Sequence, residues 1–213
     1  MPFVTILFDL DGTLIDSYAL IAAAFRHAAR VVLGRELDDD QVAVKWGEPL
    51  PARFAHVAPN RVTALVDAYT AYYDAHHARL CAPFPGVAAM LAALGSRGCR
   101  IGVVTSKRRR STAQALEGFG LTAWIRAAVT AEDVPAPKPA PDPVLEALRR
   151  LGSRPEEALV VGDGVFDIRA ARAAGVLSAA ATWGTREGPG LLAAGPDYVV
   201  AAPQEVVSLV ASR

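Results

Sequence analysis

The sequence predicts an α/β fold in which a doubly wound parallel sheet carries an inserted all-helical domain. Short apolar runs alternate with segments of helical spacing over most of the 213 residues, and this alternation is typical of parallel sheets covered by helices. The segment from Ser17 to about Arg79 contains helical patterns without a strand. A composition that is 52% hydrophobic and 21% charged is that of a globular protein and excludes a disordered chain.

Four apolar runs bounded by turn residues predict the strands. A parallel strand covered by helices leaves neither face to water, so it is apolar throughout. The predicted strands are Val4–Phe8, Ile101–Val104, Leu159–Val161 and Leu177–Thr182. The predicted helices between them are Val87–Leu94, Ser111–Phe119, Val144–Leu151 and Ile168–Ala174. Asp142 before Pro143 predicts a helix N-cap, and Gly152 and Gly175 predict left-handed residues after helix ends.

The inserted domain is predicted from three helical patterns, Tyr18–Leu33, Asp39–Lys45 and Val62–His77. We expect residues 16–80 to form a helical cap domain, and residues 1–15 together with 81–213 to form the α/β core. In open α/β sheets, ligands bind beyond the carboxyl ends of the strands. We therefore expect the insertion to cover that edge of the sheet.

Charge and cysteine content limit the partners and the compartment. Lysine plus arginine number 22, as do aspartate plus glutamate, so no net field draws the chain to nucleic acid or to an anionic membrane. Cys81 and Cys99 are too few for a disulfide framework and predict buried thiols in a reducing compartment. No secretory signal pattern or apolar run of roughly 18 residues is present. We expect a cytoplasmic monomer or homodimer whose partner is a small molecule.

Four aspartates follow predicted strands at the carboxyl edge of the sheet. Asp9 and Asp11 follow the first strand and, two residues apart in extended backbone, face the same way. Asp163 follows the strand Leu159–Val161, and Asp167 lies near the first turn of the next helix. Like charges about 4 Å apart repel by roughly 4 kcal/mol at an effective dielectric of 20. A divalent cation relieves this repulsion, and oxygen ligands favour Mg²⁺.

Four motifs resemble, in order and in spacing, those of the haloacid dehalogenase superfamily. They are FDLDGTLIDS, VVTSK, the lysine in PKPAPDP, and GDGVFD. The resemblance spans nearly the whole chain and is closest to the phosphoglycolate phosphatase-like branch. The segments WGEPL, HHARL…FPGV and KPAPDPVLEAL look especially like the bacterial pyrophosphatases of that branch. The resemblance to the superfamily implies a Rossmann-like core with a small helical cap. An acid at position 11 implies P–O chemistry, since dehalogenases of the superfamily lack it and need no metal.

The resemblance also implies the roles of the four acids. Asp9 attacks phosphorus and forms an aspartyl-phosphate, and Asp11 protonates the leaving oxygen and then activates water. The Asp9 carboxylate, the Asp11 backbone carbonyl and Asp163 bind Mg²⁺, with Asp167 as a further ligand or a residue behind the ligands.

The remaining matched residues are expected to bind the phosphoryl group. Thr105 and Ser106 hydrogen-bond it, and Lys138 neutralises its charge. Gly164 stands where family members commonly carry Ser, Thr or Asn, which leaves the geometry of that corner open. Around Gly47–Leu50, Glu48 and Arg53 are candidates for substrate specificity in the cap. The basic run at residues 107–110 is interpreted as a solvated helix shoulder or as a second phosphate contact.

The function implied is that of a Mg²⁺-dependent phosphohydrolase. Its expected substrate is a small phosphate monoester of the phosphoglycolate type, or pyrophosphate. Two alternatives remain open: a sugar phosphomutase of the same superfamily, which uses the same residues, and a non-catalytic phosphate-binding module.

Overall fold

A computed structural model describes residues 3–44 and 47–210 of the chain. The chain divides into two compact units: Ser17–Ala82, named here the helical unit, and the residues before and after it, named the sheet unit. The sequence predicts residues 16–80 as a cap; that the helical unit acts as a cap stays a prediction. Lys45 of the predicted helix Asp39–Lys45 and Trp46 of the WGEPL segment lie outside the described residues.

The sheet unit contains a six-stranded sheet in the order β5-β4-β1-β6-β7-β8, in which every adjacent pair is parallel. The strands are β1 (Thr5–Phe8), β2 (Ile15–Asp16), β3 (Ala82–Pro83), β4 (Arg100–Val104), β5 (Ala127–Val129), β6 (Ala158–Gly162), β7 (Leu177–Ala181) and β8 (Tyr198–Val200). The short strands β2 and β3 stand outside the six-stranded sheet. The fold class predicted from the sequence is therefore confirmed, and the four predicted strands are β1, β4, β6 and β7.

Helices cover both faces of this sheet. The helices of the chain are α1 (Tyr18–Leu33), α2 (Asp39–Ala43), α3 (Leu50–Val57), α4 (Val62–Leu80), α5 (Val87–Ser96), α6 (Arg109–Gly118), α7 (Asp142–Leu151), α8 (Val165–Ala173), α9 (Pro189–Ala193) and α10 (Pro203–Leu209). Because side chains alternate along a strand, Ile6 and Phe8 of β1 join the core under α5, α6 and α10. Leu7, between them, joins the core under α7 and α8. The burial of both faces explains why β1 and β6 are buried along their whole length and are apolar except for Thr5 at the start of β1.

Some local predictions were wrong. The edge strands β5 and β8 were not predicted, because three residues are too few to make a pattern and both strands are only partly buried. Asp142 is the first residue of α7 and not its N-cap. Pro141 stands at the N-cap position and makes no side-chain hydrogen bond to the helix. Gly152 and Gly175 do adopt the left-handed conformation, with φ of 60° and 70°.

The helical unit contains α1 to α4 and has a core of its own. Phe25 of α1 stacks on Phe54 of α3 with ring centroids 4.2 Å apart, and both rings are fully buried. The helix α3 was not predicted from the sequence. Across residues 3–44 and 47–210, no helix combines the length and the apolarity needed to cross a membrane. Cys81 and Cys99 are both buried, as the sequence predicts.

Candidate active site

Three of the four predicted acids meet at the carboxyl ends of two adjacent strands. Asp9 follows β1 and its backbone N–H donates to the Val161 carbonyl of β6 over 2.9 Å, which extends the pairing of the two strands. Asp163 directly follows β6, and Asp167 lies in the first turn of α8. One carboxylate oxygen from each of Asp9, Asp163 and Asp167 lies within 4.8 Å of the others. This set is named here the acidic cluster.

Lys138 enters the acidic cluster from the loop between β5 and α7. Its Nζ lies 3.0 Å from Asp9 Oδ1 and 2.6 Å from Asp167 Oδ1, and it also donates to the Val104 carbonyl over 3.2 Å. The lysine side chain is only 5% exposed. Burial lowers the pKa of Lys138, but the carboxylates of Asp167 and Asp9 outweigh burial and hold that pKa above its ordinary value. The lysine is therefore a fixed positive charge beside Asp9.

The fourth acid, Asp11, is held by a second lysine. The Nζ of Lys107 donates to both carboxylate oxygens of Asp11, over 2.8 and 2.7 Å, and the lysine side chain is only 9% exposed. Sequence reasoning assigned Lys107 to a basic run and did not predict this pair. One signal could have suggested it: lysine occurs only at positions 45, 107 and 138, so a lysine directly after a motif residue is unusual in this chain.

The electrostatics of the acidic cluster indicate an excess of negative charge. Burial, together with repulsion from Asp167, raises the pKa of Asp9 to about 7 even though Lys138 opposes the change. Burial and repulsion from Asp9 and Asp167 raise the pKa of Asp163 well above its ordinary value. The protein without a cation thus favours protonated forms of these two acids at a pH where isolated aspartate is ionised.

The donor set fits a hard divalent cation. With all groups ionised, the acidic cluster and Asp11 carry four negative charges, and Lys107 and Lys138 offset two of them. A net charge of −2 therefore remains to be neutralised. Every candidate ligand atom is an oxygen, which is the ligand type that Mg²⁺ prefers.

The loop after β1 packs tightly against Asp163. Gly12 has a φ of +85°, and a Cβ there would lie 2.1 Å from Asp163 Oδ2, so only glycine fits both the conformation and the space. The hydroxyl of Thr13 donates to Asp163 Oδ1 over 2.8 Å. Sequence reasoning missed Thr13, because a single threonine after a turn carries no distinctive signal.

Thr105 and Ser106 follow β4 on the other side of β1. The Oγ1 of Thr105 accepts a hydrogen bond from the backbone N–H of Lys107 over 3.1 Å. The Oγ of Ser106 is buried and makes no hydrogen bond to any described residue. A buried hydroxyl normally has a partner, so Ser106 is suited to binding a ligand.

Two further residues of the basic run, Arg108 and Arg109, are paired with acids. The first backbone N–H of α6, that of Arg109, donates to Glu132 Oε2 over 2.7 Å. The exposed side chains of Arg108 and Arg109 pair with Glu132 and Asp133. These acids offset the penalty for cations at a helix N-terminus, which agrees with the interpretation of a solvated helix shoulder.

The two predicted cap residues lie in the helical unit. The guanidinium of Arg53 donates to the carbonyls of Val44 and Val42 over 3.2 and 2.6 Å and stacks 4.7 Å above the ring of Phe25. The residue is only 5% exposed, so it stabilises the helical unit, and the geometry argues against the predicted substrate contact. Glu48 is partly exposed, with Oε2 3.4 Å from His56 Nε2.

A doubly wound sheet that gathers carboxylates and a buried lysine at its carboxyl edge is the arrangement of an α/β enzyme. The sequence model of the family described as haloacid dehalogenase-like hydrolase matches residues 6–181. The chain therefore belongs to the haloacid dehalogenase-like hydrolase family, and the predicted resemblance and the enzyme class are confirmed.

Relatives and solved structures agree with this assignment. The pyrophosphatase PpaX of Bacillus velezensis is 35% identical over 195 residues, 92% of this chain and 90% of the relative. That of Anoxybacillus flavithermus is 32% identical over 206 residues, 97% and 96% of the two chains. The solved structure of a haloacid dehalogenase-like family hydrolase from Streptococcus pneumoniae superposes with a TM-score of 0.85, at 29% identity and 97% coverage of both chains.

Proposed function

We propose that this chain is a Mg²⁺-dependent phosphohydrolase that acts on a small phosphorylated substrate through Asp9. The observation that carries the proposal is the acidic cluster around Asp9 with Lys138 between Asp9 and Asp167. A carboxylate nucleophile, a buried cation and an all-oxygen metal site are the parts that phosphoryl transfer needs, because it depends mainly on positioning and charge stabilisation.

In the first step a carboxylate oxygen of Asp9 attacks phosphorus. The bond from phosphorus to the leaving oxygen breaks, and its electron pair passes to that oxygen, which takes a proton from Asp11. Asp9 then carries the phosphoryl group. In the second step Asp11 accepts a proton from water as the water oxygen attacks phosphorus. The bond from phosphorus to the Asp9 oxygen breaks and its electron pair returns to the Asp9 carboxylate, so that phosphate leaves and both acids return to their starting states.

Other residues of the chain stabilise charge during these steps. Lys138 favours the ionised, nucleophilic form of Asp9 and neutralises the phosphoryl oxygens, since its Nζ lies 3.0 Å from Asp9 Oδ1. Lys107 stabilises, by a two-point contact, the Asp11 carboxylate that remains once the leaving oxygen has taken its proton. The hydroxyl of Ser106 is available to hydrogen-bond the phosphoryl group. Asp9, Asp163 and the Asp11 carbonyl, with Asp167 as a further ligand or as a residue behind the ligands, would hold Mg²⁺, which would supply the remaining positive charge.

Pyrophosphate is the first substrate to test, because the relatives at 32 to 35% identity are named pyrophosphatases. A phosphate monoester such as phosphoglycolate is the second. The test is a phosphate-release panel of pyrophosphate, phosphoglycolate and sugar phosphates, run with Mg²⁺ and with chelator. We expect release that requires Mg²⁺ and that disappears in Asp9→Asn.

Asp142→Asn is the matched control, because it makes the same chemical change at the start of α7, outside the acidic cluster. Full activity in Asp9→Asn would overturn the nucleophile assignment. Ligand binding without turnover in the wild type would identify a binding module, and isomerised sugar phosphate with little free phosphate would identify a mutase.

A further inference from the structure

The segment that follows β7, residues 183–187, contacts both loops that carry the acids; we name it the brace. The indole Nε1 of Trp183 donates to the Thr13 carbonyl over 2.9 Å. Two residues further on, the hydroxyl of Thr185 donates to the Asp163 carbonyl over 2.7 Å. The brace therefore fixes the backbone beside Asp11 and the backbone of Asp163 at the same time.

The side chain of Glu187, the last residue of the brace, lies at the N-terminus of α8. Gly164 is the N-cap of this helix, with φ −111° and ψ 153°, and it has no side chain with which to accept a hydrogen bond. Oε2 of Glu187 accepts one instead, from the backbone N–H of Val165. The backbone N–H of Glu187 donates to Thr185 Oγ1 over 3.1 Å, which fixes the turn of the brace. A carboxylate at this position also interacts favourably with the helix dipole.

The space above Gly164 shows how Glu187 compensates for the missing side chain. A Cβ at position 164 would lie 3.5 Å from Glu187 Oε2 and 3.2 Å from Asp167 Oδ2. The backbone N–H of Gly164 donates to the same Oδ2 of Asp167 over 3.0 Å. The turn between Asp163 and Asp167 is thus held from one side by Asp167 and from the other side by Glu187.

We propose that Glu187 is a positioning residue for the acidic cluster, which caps α8 from the brace and so holds Asp163 and Asp167 in the geometry that a divalent cation needs. The inference rests on the proposed function only for the identity of the cation. Glu187 is not a ligand in this proposal: it acts through the turn at Gly164.

The test measures binding of Mg²⁺ by calorimetry, in the absence of any substrate. We expect Glu187→Ala to weaken binding by about tenfold or more, the effect typical of removing a residue that orients metal ligands. Serine is a strong N-cap residue, and φ of −111° at position 164 accepts it. We therefore expect Gly164→Ser to restore part of the affinity when it is combined with Glu187→Ala, because its hydroxyl can cap α8 through the N–H of the second or third helical residue in place of that of Val165.

Glu205→Ala is the matched control. Glu205 lies in the first turn of α10, where its carboxylate accepts a hydrogen bond from the Ala201 N–H over 2.9 Å, and it takes no part in the acidic cluster. We expect it to leave the Mg²⁺ affinity unchanged. Wild-type affinity in Glu187→Ala would overturn the proposal, and so would a folded double variant that regains nothing. If Glu187→Ala does not fold, Glu187→Gln replaces it in the same series, since it keeps an acceptor but removes the charge. A wild type that binds no divalent cation would instead contradict the proposed function.

Discussion

Replacement of Asp9 by asparagine is expected to stabilise the fold while it removes activity. The carboxylate of Asp9 is mostly buried beside Asp163 and Asp167, and burial raises its pKa from an ordinary 3.8 to about 7. When folding raises the pKa of an acid, that acid makes its full contribution to the free energy of unfolding only at pH values below its pKa in the unfolded chain. That contribution is lost as the pH rises from about 4 through about 7, because ionisation is then easier in the unfolded chain.

The size of the effect follows from the same two pKa values. A difference between 3.8 and about 7 corresponds to about 4 kcal/mol at 1.36 kcal/mol per pH unit, which sets the upper limit. Asparagine keeps the shape of the side chain without the charge. At pH 8 in the presence of chelator, we therefore expect the free energy of unfolding of Asp9→Asn to exceed that of the wild type by more than about 1 kcal/mol. At pH 4 we expect the two proteins to differ little.

Urea unfolding followed by tryptophan fluorescence, at pH 4 and pH 8 in chelator, measures this difference. Asp133→Asn is the control of opposite sign. Burial opposes ionisation of Asp133, but hydrogen bonds from Thr130 and Arg150 outweigh burial and lower its pKa, so we expect Asp133→Asn to destabilise the protein at pH 8. If Asp9→Asn is no more stable than the wild type at pH 8, Asp9 is not the source of charge repulsion that we infer, and the argument for a cation at this site loses its electrostatic basis.

Three further outcomes are expected. Lys138→Met leaves the buried carboxylates without their counter-charge, so we expect a loss of about 3–5 kcal/mol in urea unfolding at pH 8, and a smaller loss with Mg²⁺ present. Lys107→Met removes the two-point contact to Asp11 and should lower kcat by at least about tenfold, part of what acid–base catalysis supplies, while Lys107→Arg retains more of it; steady-state kinetics measure both. Arg53→Met should cost about 1–3 kcal/mol of stability, because it leaves buried carbonyls unpaired, and a changed KM at unchanged stability would restore its predicted role in specificity.

The centre of the sheet could be predicted because its physical requirement is simple. Strands covered on both faces are expected to be apolar throughout; β6 satisfies this over its whole length, and β1 does so after the buried Thr5 at its start. The meeting of Asp9 with Asp163 follows from the same logic, since residues directly after parallel strands share one edge. The pairing of β1 with β6 then brings the two acids together.

The contacts of the two lysines depend on information that the sequence pattern lacks. Lys107 reaches Asp11 because Phe8 of β1 is in register with Val103 of β4, so residues a few positions beyond each strand meet. Alternation of apolar and polar residues normally specifies register, but strands buried on both faces, such as β1 and β4, lack that alternation. Lys138 comes from a loop rather than from a strand end, and only the family resemblance indicated it.

Arg53 shows where residue type misleads. An arginine is rarely buried unless it is paired, so an arginine near a predicted specificity loop suggests an exposed contact. Here backbone carbonyls and the face of Phe25 satisfy it inside the helical unit. That environment depends on where the backbone of Val42 and Val44 lies and not on the spacing of apolar residues.

Glu187 illustrates the same limit from the other direction, and it connects stability with function. Nothing in the run WGTREG predicts that its glutamate caps a helix that begins 22 residues earlier, at Val165. Yet the acidic cluster opposes its own assembly, as the raised pKa values of Asp9 and Asp163 indicate. Carboxylates that repel one another stay together only if other contacts hold their backbone in place, and the brace provides such contacts at the Asp163 carbonyl and the Val165 N–H. Loosening the brace should therefore lower the repulsion among the carboxylates of the metal-free protein. The same change should weaken Mg²⁺ binding.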